Sequence, residues 1–247
     1  MSRAVSWISC LLAAALLSAL WCRVALAYLP GPDTVRQCPA CGKPVLEKTI
    51  LSGNTLGRKL WTDGRQEAPM LPDQPALVKC PHCAHLFWLG EAKKLYEGED
   101  LAANTDVRTK WPGARYAVTP SEADYYLLLQ RPPKTDAKEK YLRKRALWAA
   151  NDRRRDPKGD APPALTGEAT RNLEALYALL GKSELAEDRI LRAEIARELG
   201  RFSDSLRLLD HSFPPENAWA AVQIRALAQT GDPQVRLLQE NGPRPAR

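Results

Sequence analysis

The sequence predicts an α+β protein: a small β-rich domain followed by an all-α domain of helical hairpins. Three observations predict it. Two copies of one motif, Cys38-Pro39-Ala40-Cys41 and Cys80-Pro81-His82-Cys83, sit in a stretch rich in strand and turn signals, with 38 residues between Cys41 and Cys80. From Thr119 onward the apolar residues recur at helical spacing. Gly181, Gly200 and Gly231 then punctuate that spacing, as glycines do where helices stop and short connectors begin.

Residues 1–27 are set apart as a signal peptide. A short basic start ends at Arg3, and Ala4 to Cys22 is an uncharged run of 19 residues rich in Leu and Ala. Ala25 and Ala27 occupy the small positions of an A-x-A cleavage site, which makes Tyr28 the mature N-terminus. Trp21 is too bulky for a lipobox before Cys22. An uncleaved anchor is the competing reading, since about 20 apolar residues just span a bilayer. Either way residues 28 onward lie outside the cytoplasm, periplasmic or secreted, or anchored and facing outward.

The remaining 220 residues suffice for two modest domains. At 45% hydrophobic and 26% charged, the chain has the balance of a folded protein rather than a disordered one. Its net charge of +7 is concentrated: Lys138 to Lys158 holds nine Lys or Arg and three acids. Such a strip suits an anionic surface, an acidic partner or nucleic acid, but a solvated helix face explains it more simply. Nucleic acid fits poorly, because export removes the chain from it and no aromatic interrupts Arg153-Arg154-Arg155.

Residues 28–98 form the β-rich domain. Val45 to Leu51 reads as a strand, Ser52 to Thr55 as a turn, and Leu56 to Trp61 as the returning strand. After a proline-rich loop, Ala76 to Lys79 is a brief strand entering the second cysteine pair, and Glu91 to Glu97 reads as helical. Residues 99–118 carry no clear element and are assigned to a linker or irregular segment. Residues 119–165 hold a helical pair bearing the basic strip. Thr119-Pro120-Ser121-Glu122 opens the first helix as a cap, and Asp136 to Asn151 forms the second.

Residues 166–247 are a series of helices: Glu168 to Leu180, Glu184 to Leu199, Ser203 to His211 and Asn217 to Thr230, with a short helix after that. Leu199-Gly200-Arg201-Phe202, followed by Ser205, Leu206 and Leu209, resembles the centre of a tetratricopeptide repeat. In that family a glycine and an aromatic close the hairpin and a small residue packs beneath it. Gly231 follows Gly200 by 31 residues, short of the 34-residue repeat, and Arg189 stands where the family has an aromatic.

The cysteines have three readings. Cys38, Cys41, Cys80 and Cys83 arrive as two C-x-x-C loops, each able to turn both sulfurs toward one point, and four thiolates complete a tetrahedral metal shell. Cys38-Pro39-Ala40-Cys41-Gly42-Lys43 resembles the knuckle of zinc ribbons and rubredoxins. That resemblance implies one structural Zn2+ per chain, each knuckle at the tip of a β-hairpin, and no open position for catalysis. The second copy has Ala84 where the first has Gly42. The alternative is a thiol–disulfide oxidoreductase: Cys-Pro-His-Cys resembles the active site of periplasmic thiol oxidants with a thioredoxin fold, with Cys80 as nucleophile at a helix N-terminus. Two plain disulfides are the third reading.

Only three histidines are present, so no Ser/His/Asp or Cys/His set forms, and Leu51-Ser52-Gly53-Asn54 lacks the ending of a phosphate loop. His82 and His85 read as neighbours of the metal shell rather than ligands. Two C-P-x-C knuckles followed by tetratricopeptide-like helices resemble a layout found in uncharacterised bacterial proteins. The favoured expectation is a non-enzymatic, exported interaction protein with a protein or peptide partner, associated with a membrane if the leader is retained.

Overall fold

The computed structural model describes residues 28–97, 107, 109–131, 135–155 and 164–239; the signal segment assigned to 1–27 lies outside them. Strands β1 (Leu29–Pro30), β2 (Thr34–Gln37), β3 (Pro44–Glu47) and β4 (Ile50–Ser52) come first, then β5 (Lys59–Trp61) and β6 (Gln66–Glu67). The hairpin β7 (Leu77–Lys79) and β8 (Leu86–Trp88) follows, then a 3-10 turn at Leu89–Glu91, β9 (Lys94–Glu97) and β10 (Arg115–Tyr116). The helices are α1 (Glu122–Leu129), α2 (Asp136–Arg155), α3 (Gly167–Leu180), α4 (Ala186–Glu198), α5 (Phe202–Leu208) and α6 (Pro215–Gln229). A last strand, β11 (Leu237–Leu238), closes the described chain. The class is α+β, and the cysteines lie in the strand-rich N-terminal part. No helix among the described residues is long and apolar enough to cross a membrane.

The central sheet has the order β10-β3-β2-β9, with β2 antiparallel to both neighbours and β10 parallel to β3. Side chains alternate along a strand, so the sheet feeds two cores. Val35 and Leu46, directly opposite each other, pack with Val107 on one side. Val45 turns to the other side, where Val78, Phe87 and Leu89 surround Cys38 and Cys80. The β7–β8 hairpin is covered on both faces. Val78 and Phe87 meet that cysteine core, while Leu77 packs with Tyr125, Leu142 and Ala146 of α1 and α2. The Ala76 N–H donates to the Tyr141 hydroxyl at 3.0 Å, and Lys79 pairs with Asp124 at 2.6 Å. The helices are therefore seated directly on the second cysteine hairpin.

The cap of helix α1 lies two residues beyond the expected Thr119. Ser121 is the cap, and Asp124 completes a capping box by accepting the Ser121 N–H while its own N–H bonds Ser121 Oγ. Farther on, Leu173, Leu176 and Leu180 of α3 pack with Leu147 of α2 and Leu191 and Ile195 of α4. Ile190 and Ala193 of α4 share a second core with Leu209, Ala221 and Ile224. Helices α4 and α6 end alike. Gly200 has φ +74 and Gly231 φ +69, and the next N–H in each case reaches back to a carbonyl one turn earlier, Arg201 to Ala196 and Asp232 to Leu227. Ser205 is fully buried beneath the first of these turns.

Several elements differ from their sequence-based expectation. Val45 to Leu51 is not one strand: Thr49 donates its hydroxyl to Pro32 and accepts the Gly31 N–H, drawing the chain off β3 to pair β4 with β1. The segment Leu56 to Trp61 contributes only β5, which pairs with β6 and β11 rather than with β3. Glu91 to Glu97 is not helical, because β2 has an open edge and Lys94–Glu97 fills it. Arg115 and Tyr116, in a stretch assigned no element, join β3 as β10. Helix α2 runs to Arg155, one turn past Asn151, where Arg154 and Arg155 meet buried acids. Where the sequence predicts a short last helix after Gly231, the described residues to 239 hold a strand instead, since Leu237 and Leu238 pair with Trp61 and Leu60 of β5; residues 240–247 lie outside the described chain.

Candidate metal centre

Each cysteine pair occupies the turn between two antiparallel strands, β2–β3 and β7–β8. The two turns share one hydrogen-bond pattern. Cys38 N–H donates to Lys43 O at 3.0 Å and Gly42 N–H to Cys38 O at 2.9 Å. Cys80 N–H donates to His85 O at 2.8 Å and Ala84 N–H to Cys80 O at 3.0 Å. The turn requires a left-handed residue after the second cysteine. Gly42 supplies it at φ +70, and Ala84 adopts the same conformation at φ +59. The missing glycine in the second copy thus leaves its geometry intact at a strain of about 1 kcal/mol.

The turns bring all four predicted residues together. The Sγ atoms of Cys38, Cys41, Cys80 and Cys83 lie within 4.8 Å of one another, a group able to hold a metal ion. Cys38 Sγ is 3.7 Å from Cys83 Sγ, and Cys41 Sγ is 3.8 Å from Cys80 Sγ. A tetrahedral site with metal–sulfur bonds of about 2.3 Å sets its sulfurs about 3.8 Å apart. A disulfide needs about 2.05 Å, and all four cysteines are free. The contacts also run between the two loops, Cys38 to Cys83 and Cys41 to Cys80, so the cluster clamps one hairpin to the other.

Cys38 and Cys80 are buried, at 1% and 2% exposure, and Cys83 faces outward. Burial pushes the Cys80 thiol up to about 12, whereas the backbone hydrogen bond at Lys43 brings Cys41 down to about 7. A metal held by the four sulfurs would supply the positive charge that a buried thiolate at Cys80 lacks. The setting required for a thioredoxin-type nucleophile is not built here. Cys80 is enclosed, and strand β8, not a helix, follows Cys83. His82 Nε2 lies 3.0 Å from Pro44 O on the other hairpin, and His85 is exposed. Neither belongs to the four-sulfur group.

The described part of the basic strip is not a free patch: it ranges from the half-exposed Arg153 to the buried Arg154 and Arg155. Among its described residues, Arg143 pairs with Glu139 one turn away, while six cations reach acids far away in sequence: Lys138 to Glu91, Lys140 to Asp188, Arg145 to Asp73, Arg153 to Glu122, Arg154 to Glu198 and Arg155 to Asp63. The last two pairs are buried and belong to a junction that sequence reasoning missed. Asn151 donates to Asp63 Oδ2 at 2.9 Å and to Glu198 at 3.3 Å; Arg197 bonds Glu194, Thr62 and the Gln234 carbonyl. Asp63 follows β5, so this junction joins the β-rich part, α2, α4 and the last strand. The only trace in the sequence is Arg153-Arg154-Arg155, whose partners are too distant for any spacing rule. Comparisons with protein-family models, with curated proteins and with solved structures find no match.

Proposed function

We propose that this is an exported, non-enzymatic zinc-binding interaction protein, whose four cysteines hold one structural Zn2+ and whose helical part presents a surface to a protein or peptide partner. The observation that carries the reading is the four-sulfur group spanning two matched turns. A tetrahedral all-sulfur set suits zinc or iron, and a shell of four thiolates has no position left for water or substrate. In a β-rich unit with so small a core, the metal supplies much of the folding free energy. For the partner, support comes from a groove of about 790 Å3 between the second cysteine hairpin and α1, lined by Leu86, Trp88, Leu127 and Leu128.

Metal analysis of the purified protein, run beside thiol titration, tests the metal role. The reading requires about one zinc per chain and four thiols that react only after chelation. Metal-free protein with one fast, low-pKa thiol would instead make it an oxidoreductase. N-terminal sequencing of the exported form tests cleavage before Tyr28.

A further inference from the structure

In an antiparallel pair, residues alternate between bonding the partner strand and turning their N–H and C=O away from it. Cys80 N–H bonds His85 O at 2.8 Å, and Leu89 N–H bonds Ala76 O at 2.9 Å. Val78 and Phe87, opposite each other midway between, are therefore the bonded pair. Lys79 turns outward from β7, and its N–H and C=O are both taken by Val118, at 2.8 and 3.0 Å. On β8 the outward groups are those of Leu86 and Trp88. Among the described residues nothing bonds them, and β8 has no second neighbour. One edge of the hairpin is covered and the other is open.

The open edge lies where the groove is. Leu86 and Trp88 line it with α1, whose Leu127 is 57% exposed although apolar. Its two acids are already engaged, Asp124 by Lys79 at 2.6 Å and Glu91 by Lys138. Arg131, also on its wall, has no carboxylate partner among the described residues. What the groove leaves unpaired is thus a strand edge, an apolar wall and one cation.

We propose that an extended segment of a partner polypeptide docks here by adding a third strand to the β7–β8 hairpin at β8. Its backbone meets Leu86 and Trp88, apolar residues at alternate positions meet Leu127 and Leu128, and an acidic residue meets Arg131. This rests on reading the chain as an interaction protein and specifies where and how it binds. Helix α1 walls the groove beside the open edge, which limits what can pair there.

The test titrates 15N-labelled protein with short peptides that alternate valine and threonine around one glutamate. Two controls carry a lysine in its place or N-methyl groups at alternate residues. The Leu86 and Trp88 amides are expected to shift saturably with the glutamate peptide and not with the N-methylated one. Affinity is expected to fall about tenfold or more in Leu127→Asp, and Arg131→Glu to favour the lysine peptide. Both side chains are exposed, so the variants keep their fold, which circular dichroism checks. Equal binding of the N-methylated peptide, or no binding by any peptide, overturns the proposal. Shifts confined to α4–α6 overturn it too, but leave the interaction reading standing. A dimer that falls to monomer in Leu127→Asp assigns the edge to a second copy and overturns the partner.

Discussion

Arg155 places Nη2 2.6 Å from Asp63 Oδ2, joining residues 92 apart in sequence with side chains only 4% and 0% exposed. This contact seats the end of α2 on the turn after β5. Beside it Arg154 meets Glu198 at 2.8 Å, and Arg197 meets Glu194 at 2.5 Å. Three arginines and three carboxyl groups meet inside the protein, which lets a polar, hydrogen-bonded cluster sit where a core would otherwise be apolar.

Removing one member of that set leaves its partner charged and dry. Asp63→Asn is expected to cost about 3–5 kcal/mol, because Arg155 then loses its buried counter-ion. Arg155→Met should cost a similar amount, and the double variant less than the sum of the two. Urea unfolding of the four proteins measures this. Strict additivity would mean the pair is not coupled.

The junction also predicts a pH response. Burial, reinforced by the charges of Glu194 and Asp63, pushes the Glu198 carboxyl up to about 8, and burial pushes Asp63 up to about 6. In the unfolded chain these groups titrate near about 4.3 and 3.9. A group that holds its proton more tightly when folded contributes stability that is complete below its unfolded pKa and lost as pH rises through the folded one. The contribution of these two groups to stability is therefore expected to fall between about pH 4 and pH 8, with a corresponding drop in melting temperature, and to level off above that. Glu198→Gln should flatten that fall; a variant with the parent slope removes Glu198 from the response.

What the sequence made readable was local. The C-x-x-C spacing identified four residues that do converge, and the helices at Glu168 and Asn217 lie within a few residues of α3 and α6. Glycine stops at 200 and 231 were readable because a positive φ is a requirement of the single residue. The unreadable parts depend on distant partners. β9 exists because β2 has an edge to fill, and β11 because β5 does. The basic strip looked solvated because Asp63 and Glu198, the acids that bury two of its arginines, lie 92 and 44 residues away.

Positive φ gives a pair of opposite predictions. Ala84 holds φ +59 with a side chain that disfavours it, so Ala84→Gly is expected to stabilise the protein by about 0.5–1 kcal/mol. Gly200 holds φ +74 in open space, where an added Cβ touches nothing. Gly200→Ala should then destabilise by about 1 kcal/mol through backbone conformation alone. Chemical denaturation of both variants reads the sign directly.

Metal removal should act on one part of the molecule first. Cys38 and Cys80 are members of the core that holds Val45, Val78 and Phe87, so a metal held by the four sulfurs would be part of that core. The α3–α6 cores share no residue with it. Chelation is expected to abolish amide-exchange protection in β2, β3, β7 and β8 while α3 and α4 retain theirs. Cys80→Ser should reproduce the loss more fully than Cys83→Ser, because its hydroxyl would be enclosed where Cys83 faces solvent. Hydrogen exchange followed by mass spectrometry separates the two regions. Protection that survives chelation in all four strands would show that hydrophobic packing alone closes the two hairpins.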